Sequence, residues 1–279
     1  MLVIFGAVVL VLALMLENLT MEKATESGTS SESWTESIEA GQQPSNTESV
    51  ESDGTMRYKG GIYTADGSTL LSWSLEDAIE DGCVFEYDPY TLRPGHFYHL
   101  LVDTDTFHPN LKYIRNELSA NNTYVTMIVP WGVTDIEDGT FYDITCYLPP
   151  TAVNITREAF RHSPSSETKC ISSRYIETIV WDTGIGPGEW EERSKWYEIY
   201  DVPLNGWKIV KGLIYRFAKD PYCSMDMPAM LTGTQEVDGV TLHFAKTGEL
   251  LSAELPEGEY DLDGIKILVD GAGKVTLIE

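Results

Sequence analysis

From Met56 onward, short apolar runs alternate with Asp-Gly, Pro and Asn turns. Gly61 to Thr64 precedes Ala65-Asp66-Gly67, and Thr123 to Val129 precedes Pro130-Trp131-Gly132. Runs rich in β-branched and aromatic residues, closed by turn formers, predict strands, and the first of these predicts a hairpin. Helical signals are short. They cover Ser74 to Glu80, with Ser74 placed to cap the first turn, and Thr156 to Arg161. The pattern is mainly β.

Two internal repeats organise it. Val129-Pro-Trp-Gly-Val-Thr-Asp-Ile136-Glu-Asp-Gly-Thr-Phe141 aligns with Leu148-Pro-Pro-Thr-Ala-Val-Asn-Ile155-Thr-Arg-Glu-Ala-Phe160 at an offset of 19 without a gap. Apolar residues recur at the first, fifth, eighth and thirteenth positions. Phe85 to Phe97 reads as an earlier copy, with Pro89 in place of the fifth apolar residue, and a decayed copy is expected after Glu177-Thr-Ile-Val-Trp181. In such a unit a short strand enters a Pro-marked turn, Ile136 or Ile155 points inward, and a short helical turn buries Phe141 or Phe160. One unit cannot close a core alone, so the units are expected to stack their strands in parallel.

These units resemble the BspA-type (Treponema-type) leucine-rich repeats, which read roughly I-P-x-x-V-T-x-I-x-x-x-A-F. That family often interleaves hairpins between repeats. Val102-Asp-Thr-Asp105, Pro109-Asn-Leu-Lys-Tyr113 and Val125 to Pro130 resemble one, as does Lys59 to Leu70. The resemblance covers about residues 57 to 200 and implies a short leucine-rich-repeat solenoid with parallel strands and interleaved hairpins. The departures, Pro89 and the decayed third unit, leave the number of repeats open.

The C-terminal part carries a second repeat. Gly206-Trp-Lys-Ile-Val-Lys-Gly-Leu-Ile-Tyr-Arg-Phe217 aligns with Gly233 to Phe244 at an offset of 27, and that segment aligns with Gly258 to Val269 at an offset of 25. Each reads as a strand, a tight turn at Lys-Gly or Asp-Gly, and a second strand, giving a C-terminal stack of β-hairpins. The first two units resemble GW-type cell-wall (choline-binding) repeats. Choline cages of that family need several ring faces around one quaternary ammonium. Trp207 and Tyr215 supply them in the first unit, whereas Thr234 and Glu259 replace the Trp in the others. The resemblance therefore implies architecture more than a choline site. Trp207, Tyr215 and Trp131 remain the candidate ligand-binding residues. Trp181, Trp190 and Trp196 are likewise expected at turns or strand ends, where flat faces can meet a sugar or be packed.

The N-terminal segments change the picture. Met1 to Leu16 has no charged side chain. As a helix it rises about 24 Å, short of the ~30 Å hydrocarbon core but suited to a secretory h-region. A cleaved signal peptide and an uncleaved signal anchor both fit, and both place the remainder outside the cytoplasm, at the bacterial surface or beyond. Residues 17–55 carry nine acidic residues and one Lys with few large apolar ones. They are expected to form a disordered Ser/Thr/Glu-rich stalk spanning roughly 35 Å. Residues 56–202 then form the repeat domain and 203–279 the hairpin region.

The chain has 44 acidic and 19 basic residues, a net charge of −25. This argues against nucleic acid, which needs basic patches, and against anionic membrane surfaces. A membrane contact is expected only through an uncleaved N-terminal segment. Cys83, Cys146, Cys170 and Cys223 match no zinc spacing, and in an exported chain they allow up to two disulfides in three connectivities. His96, His99, Asp103, Asp105 and His108 invite a metal reading. Residues three apart on a strand face opposite sides, however, so the first two His do not chelate together. Asp103 and Asp105 can hold Ca²⁺ or set a turn. Gly184 to Gly188 resembles a phosphate loop, but no Lys follows it and Glu189, Glu191 and Glu192 repel phosphate. No nucleophile elbow or H-E-x-x-H occurs.

The expectation is a non-enzymatic surface or secreted protein with no cofactor, metal or catalytic residue. It would bind a host or cell-envelope protein or glycan through a repeat-built surface. An envelope-associated structural or wall-retained scaffold is the alternative, and a glycan-active enzyme a further one.

Overall fold

The structure is a computed structural model that describes residues 49–50, 54–88, 91–95, 99–119, 124–161, 169–172, 189–219 and 228–278. The chain divides into residues 1–43 and 44–279, and all described residues belong to the second unit. The leader and residues 17–48 lie outside them. Among the described residues no helix is long and apolar enough to cross a membrane.

The molecule is mainly β. It opens with β1 (Ser49–Val50), β2 (Thr55–Tyr58), β3 (Gly61–Thr64) and β4 (Thr69–Trp73), followed by helix α1 (Leu75–Glu80). β1 already pairs with β2, so the first sheet begins inside the segment read as stalk. The β2–β3 turn carries Lys59 and Gly60 at φ 44° and 75°, the paired left-handed geometry of a type I′ hairpin. The hairpin expected around Asp66-Gly67 joins β3 to β4. Ser74 caps α1 by accepting from the Asp77 N–H at 3.2 Å.

Next come β5 (Val84–Asp88), β6 (Arg93–Pro94), β7 (His99–Val102), β8 (Tyr113–Ile114), β9 (Leu118–Ser119), β10 (Tyr124–Ile128), β11 (Asp135–Ile136), β12 (Phe141–Tyr142), β13 (Ile144–Tyr147), β14 (Phe160–Arg161) and β15 (Lys169–Ile171). Three parallel ladders run through them. In one, β10 lies between β7 and β13, and β13 pairs with β15. In the second, β8 lies between β4 and β11. In the third, β12 lies between β9 and β14.

The 19-residue sequence offset reappears as register. Val125 faces Ile144, Asp135 bridges Asn154 and Phe141 faces Phe160. Every repeat-defining apolar position from Val129 to Ile155 is buried, and Phe160 packs against the same core. The Phe141 and Phe160 rings stack 5.6 Å apart at 11°. Each such side chain taken from water contributes roughly 1.5–3 kcal/mol, offsetting the entropy of ordering short, turn-rich coils.

Three expectations need correction. Phe85 to Phe97 is not an earlier copy, because β5 runs antiparallel to β7 and Phe85 is exposed. The preceding coil is residues 99–119. Its register offset to the next coil falls from 25 at β7/β10 to 22 at β8/β11, so three residues are inserted between them. The same pairing overturns the hairpin expected from Val102 to Pro130, since β7 and β10 are parallel. Thr156 to Arg161 is a single 3-10 turn, Arg157–Ala159, leading into β14. The decayed copy after Glu177 lies outside the described residues.

The C-terminal part comprises α2 (Glu189–Tyr200) and β16 (Gly206–Val210), β17 (Leu213–Lys219), β18 (Pro228–Met230), β19 (Gly233–Val237), β20 (Val240–Phe244), β21 (Leu250–Ala253), β22 (Gly258–Leu262), β23 (Ile265–Val269) and β24 (Val275–Leu277). They form three successive three-stranded antiparallel sheets. The aligned sequence positions are equivalent in space: Gly206 pairs Phe217, Gly233 pairs Phe244 and Gly258 pairs Val269. Lys211-Gly212, Asp238-Gly239 and Asp263-Gly264 all take positive φ, the type I′ turn that suits strand twist.

Candidate functional site

The parallel sheet β7–β10–β13–β15 has two apolar faces. Val102, Val125, Met127, Ile144, Cys146 and Cys170 point into the core enclosed by the ladders. Leu101, Ile128, Tyr147 and Ile171 point outward, into a second cluster with Trp131, Trp196, Tyr200, Tyr215 and Phe217. Helix α2 and the β16–β17 hairpin therefore cover the outer face of the sheet.

Trp196 sits on α2 rather than at a turn or strand end, and is 1% exposed. Its Nε1 donates to the Leu148 carbonyl at 2.7 Å. One turn later the Tyr200 hydroxyl lies 2.8 Å from the carbonyls of both Val129 and Tyr147. These carbonyls stand at the C-terminal ends of the parallel strands; the Tyr147 carbonyl also accepts from the Val129 N–H, and burial of the Val129 carbonyl without a partner would be costly. Burial holds the Tyr200 phenol well above its ordinary range, so it stays a donor.

The three candidate aromatics do not form one cage. Directly opposed residues of an antiparallel pair share a face. Lys208 opposes Tyr215 and Trp207 opposes Arg216, which puts Trp207 and Tyr215 on opposite faces of the hairpin. Tyr215 and Trp131 meet edge to face at 5.4 Å, both buried. Trp207 faces the next hairpin, 6.3 Å from the Phe244 ring.

Each indole face is already met by a cation of the same chain. Lys208 Nζ lies 5.2 Å from the Trp131 ring, and the Arg216 guanidinium lies 5.2 Å from Trp207. Lys208 also donates to the carbonyls of Tyr200 and Asp201. Desolvation lowers the Lys208 pKa, and the nearby Asp201 carboxylate acts against that. Lys211 donates to the Pro109 carbonyl at 2.8 Å, joining the hairpin tip to the turn before β8. Sequence reasoning missed Lys208, Arg216 and Tyr200, and placed Trp196 at a turn or strand end instead of on a helix. The four-residue spacing of Trp196 and Tyr200, one face of a helix, was the available signal.

The remaining candidates are dispersed. Cys146 and Cys170 are buried, unbridged Cα partners on β13 and β15, and burial raises the Cys146 thiol well above its ordinary value. Cys83 donates to the Asp81 carbonyl at 3.3 Å, and Cys223 lies outside the described residues. Asp103 accepts from the Thr104 N–H at 2.6 Å, setting the 3-10 turn Thr104–Thr106. His99 stacks on Tyr124 at 5.0 Å, while His108 is buried against Tyr58 and Tyr63. No group of three metal-ligating side chains occurs among the described residues. His96, Trp181 and Gly184 to Gly188 fall outside them.

No protein-family model, curated protein or solved structure matches the chain.

Proposed function

We propose that the chain is a non-catalytic binding or adhesion protein of a bacterial surface. In this reading its body is a short BspA-type leucine-rich-repeat solenoid, closed by hairpins that resemble GW-type repeats. The observation that carries the reading is the shared 19-residue register of the ladders. Stacked coils bring like chain positions into columns, which builds an extended contact surface rather than a reaction centre. With much of the outer face of the parallel sheet covered, and with Ile209, Leu213, Leu251 and Leu268 of the hairpins exposed, we assign the partner a polar surface. It comprises the rim at Glu137, Asp138, Asn154 and Thr156 and the hairpin faces at Glu236, Glu259 and Asp261, all outside the core. Asn154 Nδ2 donates to the Asp135 carboxylate at 2.9 Å along that rim, so the column is ordered. The partner is a host or envelope protein or glycan.

The test is binding of the full chain to arrays of host matrix proteins, mucin glycans and cell-wall fragments. Saturable binding to one class, weakened by charge changes on the rim or hairpin faces, supports the reading. Absence of binding to every class refutes it. One observation favours a second reading, a wall-retained scaffold. Both indole faces of the candidate site are occupied by the chain's own cations, which suits hairpins that serve architecture. Wall retention that depends on residues 203–279, without any soluble ligand, selects that reading.

A further inference from the structure

The junction between α2 and the first hairpin holds a complete ligand-like arrangement around a side-chain ammonium. We propose that Trp131 and the carbonyls of Tyr200 and Asp201 form a binding site for a primary ammonium, which the chain fills with its own Lys208. This inference does not depend on which external partner the protein binds.

Two carbonyls and a ring face meet the ammonium. A primary ammonium has three N–H donors. Two reach the Tyr200 and Asp201 carbonyls, and the Trp131 ring face stands 5.2 Å from Nζ. Tyr200, Tyr215 and Phe217 stand edge-on around that indole at 6.1, 5.4 and 6.2 Å. They wall it from water and hold its orientation. The two carbonyls lie at the C-terminal end of α2, where helical carbonyls lack intrahelical donors and the dipole is negative. Asp201 itself sits at φ 48°, so the chain turns there and leaves the helix.

The Asp201 carboxylate contributes little. It is fully exposed and 4.0 Å from Nζ, whereas the Lys208 side chain is only 14% exposed. Recognition therefore rests on N–H donation and the ring face rather than on an ion pair. This selects the ligand class. A quaternary ammonium satisfies the ring but has no N–H for the two carbonyls, so the site favours primary over quaternary ammonium. Since the hairpin supplies the ammonium and the repeat body and α2 supply the site, the filled site acts as a latch between them.

The experiment is thermal unfolding of the full chain and of Lys208→Ala, titrated with n-propylammonium chloride. Tetramethylammonium chloride and sodium chloride at equal ionic strength serve as controls. The substitution removes three carbons and the ammonium, which n-propylammonium replaces. Lys208→Ala is expected to lower Tm by roughly 4 °C. Propylammonium should restore at least half of that loss with saturation, and leave the unsubstituted chain unchanged. Neither control salt should restore it. The proposal is overturned if both proteins respond alike, or if tetramethylammonium restores as much as propylammonium. Lys208→Met keeps the apolar stem and guards against a variant that does not fold. It should show a Tm loss comparable to that of Lys208→Ala, and a Tm equal to that of the unsubstituted chain overturns the proposal.

Discussion

Tyr200→Phe isolates the contact by which α2 closes the parallel sheet. The substitution keeps the ring, which packs 5.3 Å from Trp196 and 6.1 Å from Trp131, and removes only the hydroxyl. That hydroxyl has one proton and lies 2.8 Å from two carbonyls. The Tyr147 carbonyl also accepts from the Val129 N–H at 2.9 Å, so it keeps a partner. The loss therefore falls mainly on the Val129 carbonyl, which becomes a buried acceptor without this donor. Leaving such a group unpaired costs about 1–3 kcal/mol. Taking ~2 kcal/mol, a domain of this size should lose roughly 4–8 °C in Tm. Urea denaturation followed by circular dichroism should show a lower midpoint with an unchanged slope. Tyr124→Phe is the control, because Tyr124 is 69% exposed and its change should stay within about 0.5 kcal/mol. A Tyr200→Phe midpoint indistinguishable from that control would refute the reasoning.

Other outcomes follow from the same structure. Phe141→Ala removes a fully buried ring stacked between coils and should cost about 3–5 kcal/mol in chemical denaturation. Gly67→Ala should lower Tm and broaden the amide spectrum near His108, because Gly67 has φ 71° and an added Cβ would fall 2.0 Å from the His108 ring. Asp66 accepts from Thr64 Oγ1, Ser68 N and Ser68 Oγ, which lower its pKa from 3.8 to about 2. The folded value is depressed, so this turn's contribution is complete above pH 3.8 and is lost as pH falls through about 2. Asp66→Asn should flatten that part of an acid titration followed by amide chemical shifts.

What could be read from the chain beforehand depended on how local the signal is. The offset between Val129 and Leu148 became register because the alignment has no gap, and Val125/Ile144, Asp135/Asn154 and Phe141/Phe160 all pair at that offset. The hairpins were equally plain, since Lys211-Gly212, Asp238-Gly239 and Asp263-Gly264 fix turn type and register together. The coil at 99–119 was hidden by the three-residue slip between β7 and β8, although Leu111, Ile114 and Leu118 occupy the same core as Val133, Ile136 and Phe141. The candidate site shows the sharper limit. Trp131, Trp207 and Tyr215 are conspicuous as aromatics, but whether a ring face meets a ligand or the chain's own cation depends on tertiary placement. Lys208 and Arg216 stand at positions of the hairpin repeat that the aligned units do not share, so their places over Trp131 and Trp207 are set by hairpin register and docking.

The central claim is that successive units stack in parallel at 19-residue register. Nuclear Overhauser contacts in methyl- and ring-labelled protein test it most directly. Val125 with Ile144 and the Phe141 ring with the Phe160 ring should give strong cross-peaks, accompanied by cross-strand backbone contacts of parallel pairing. Absence of both pairs, or antiparallel Hα–Hα contacts between residues 124–128 and 144–147, would contradict it.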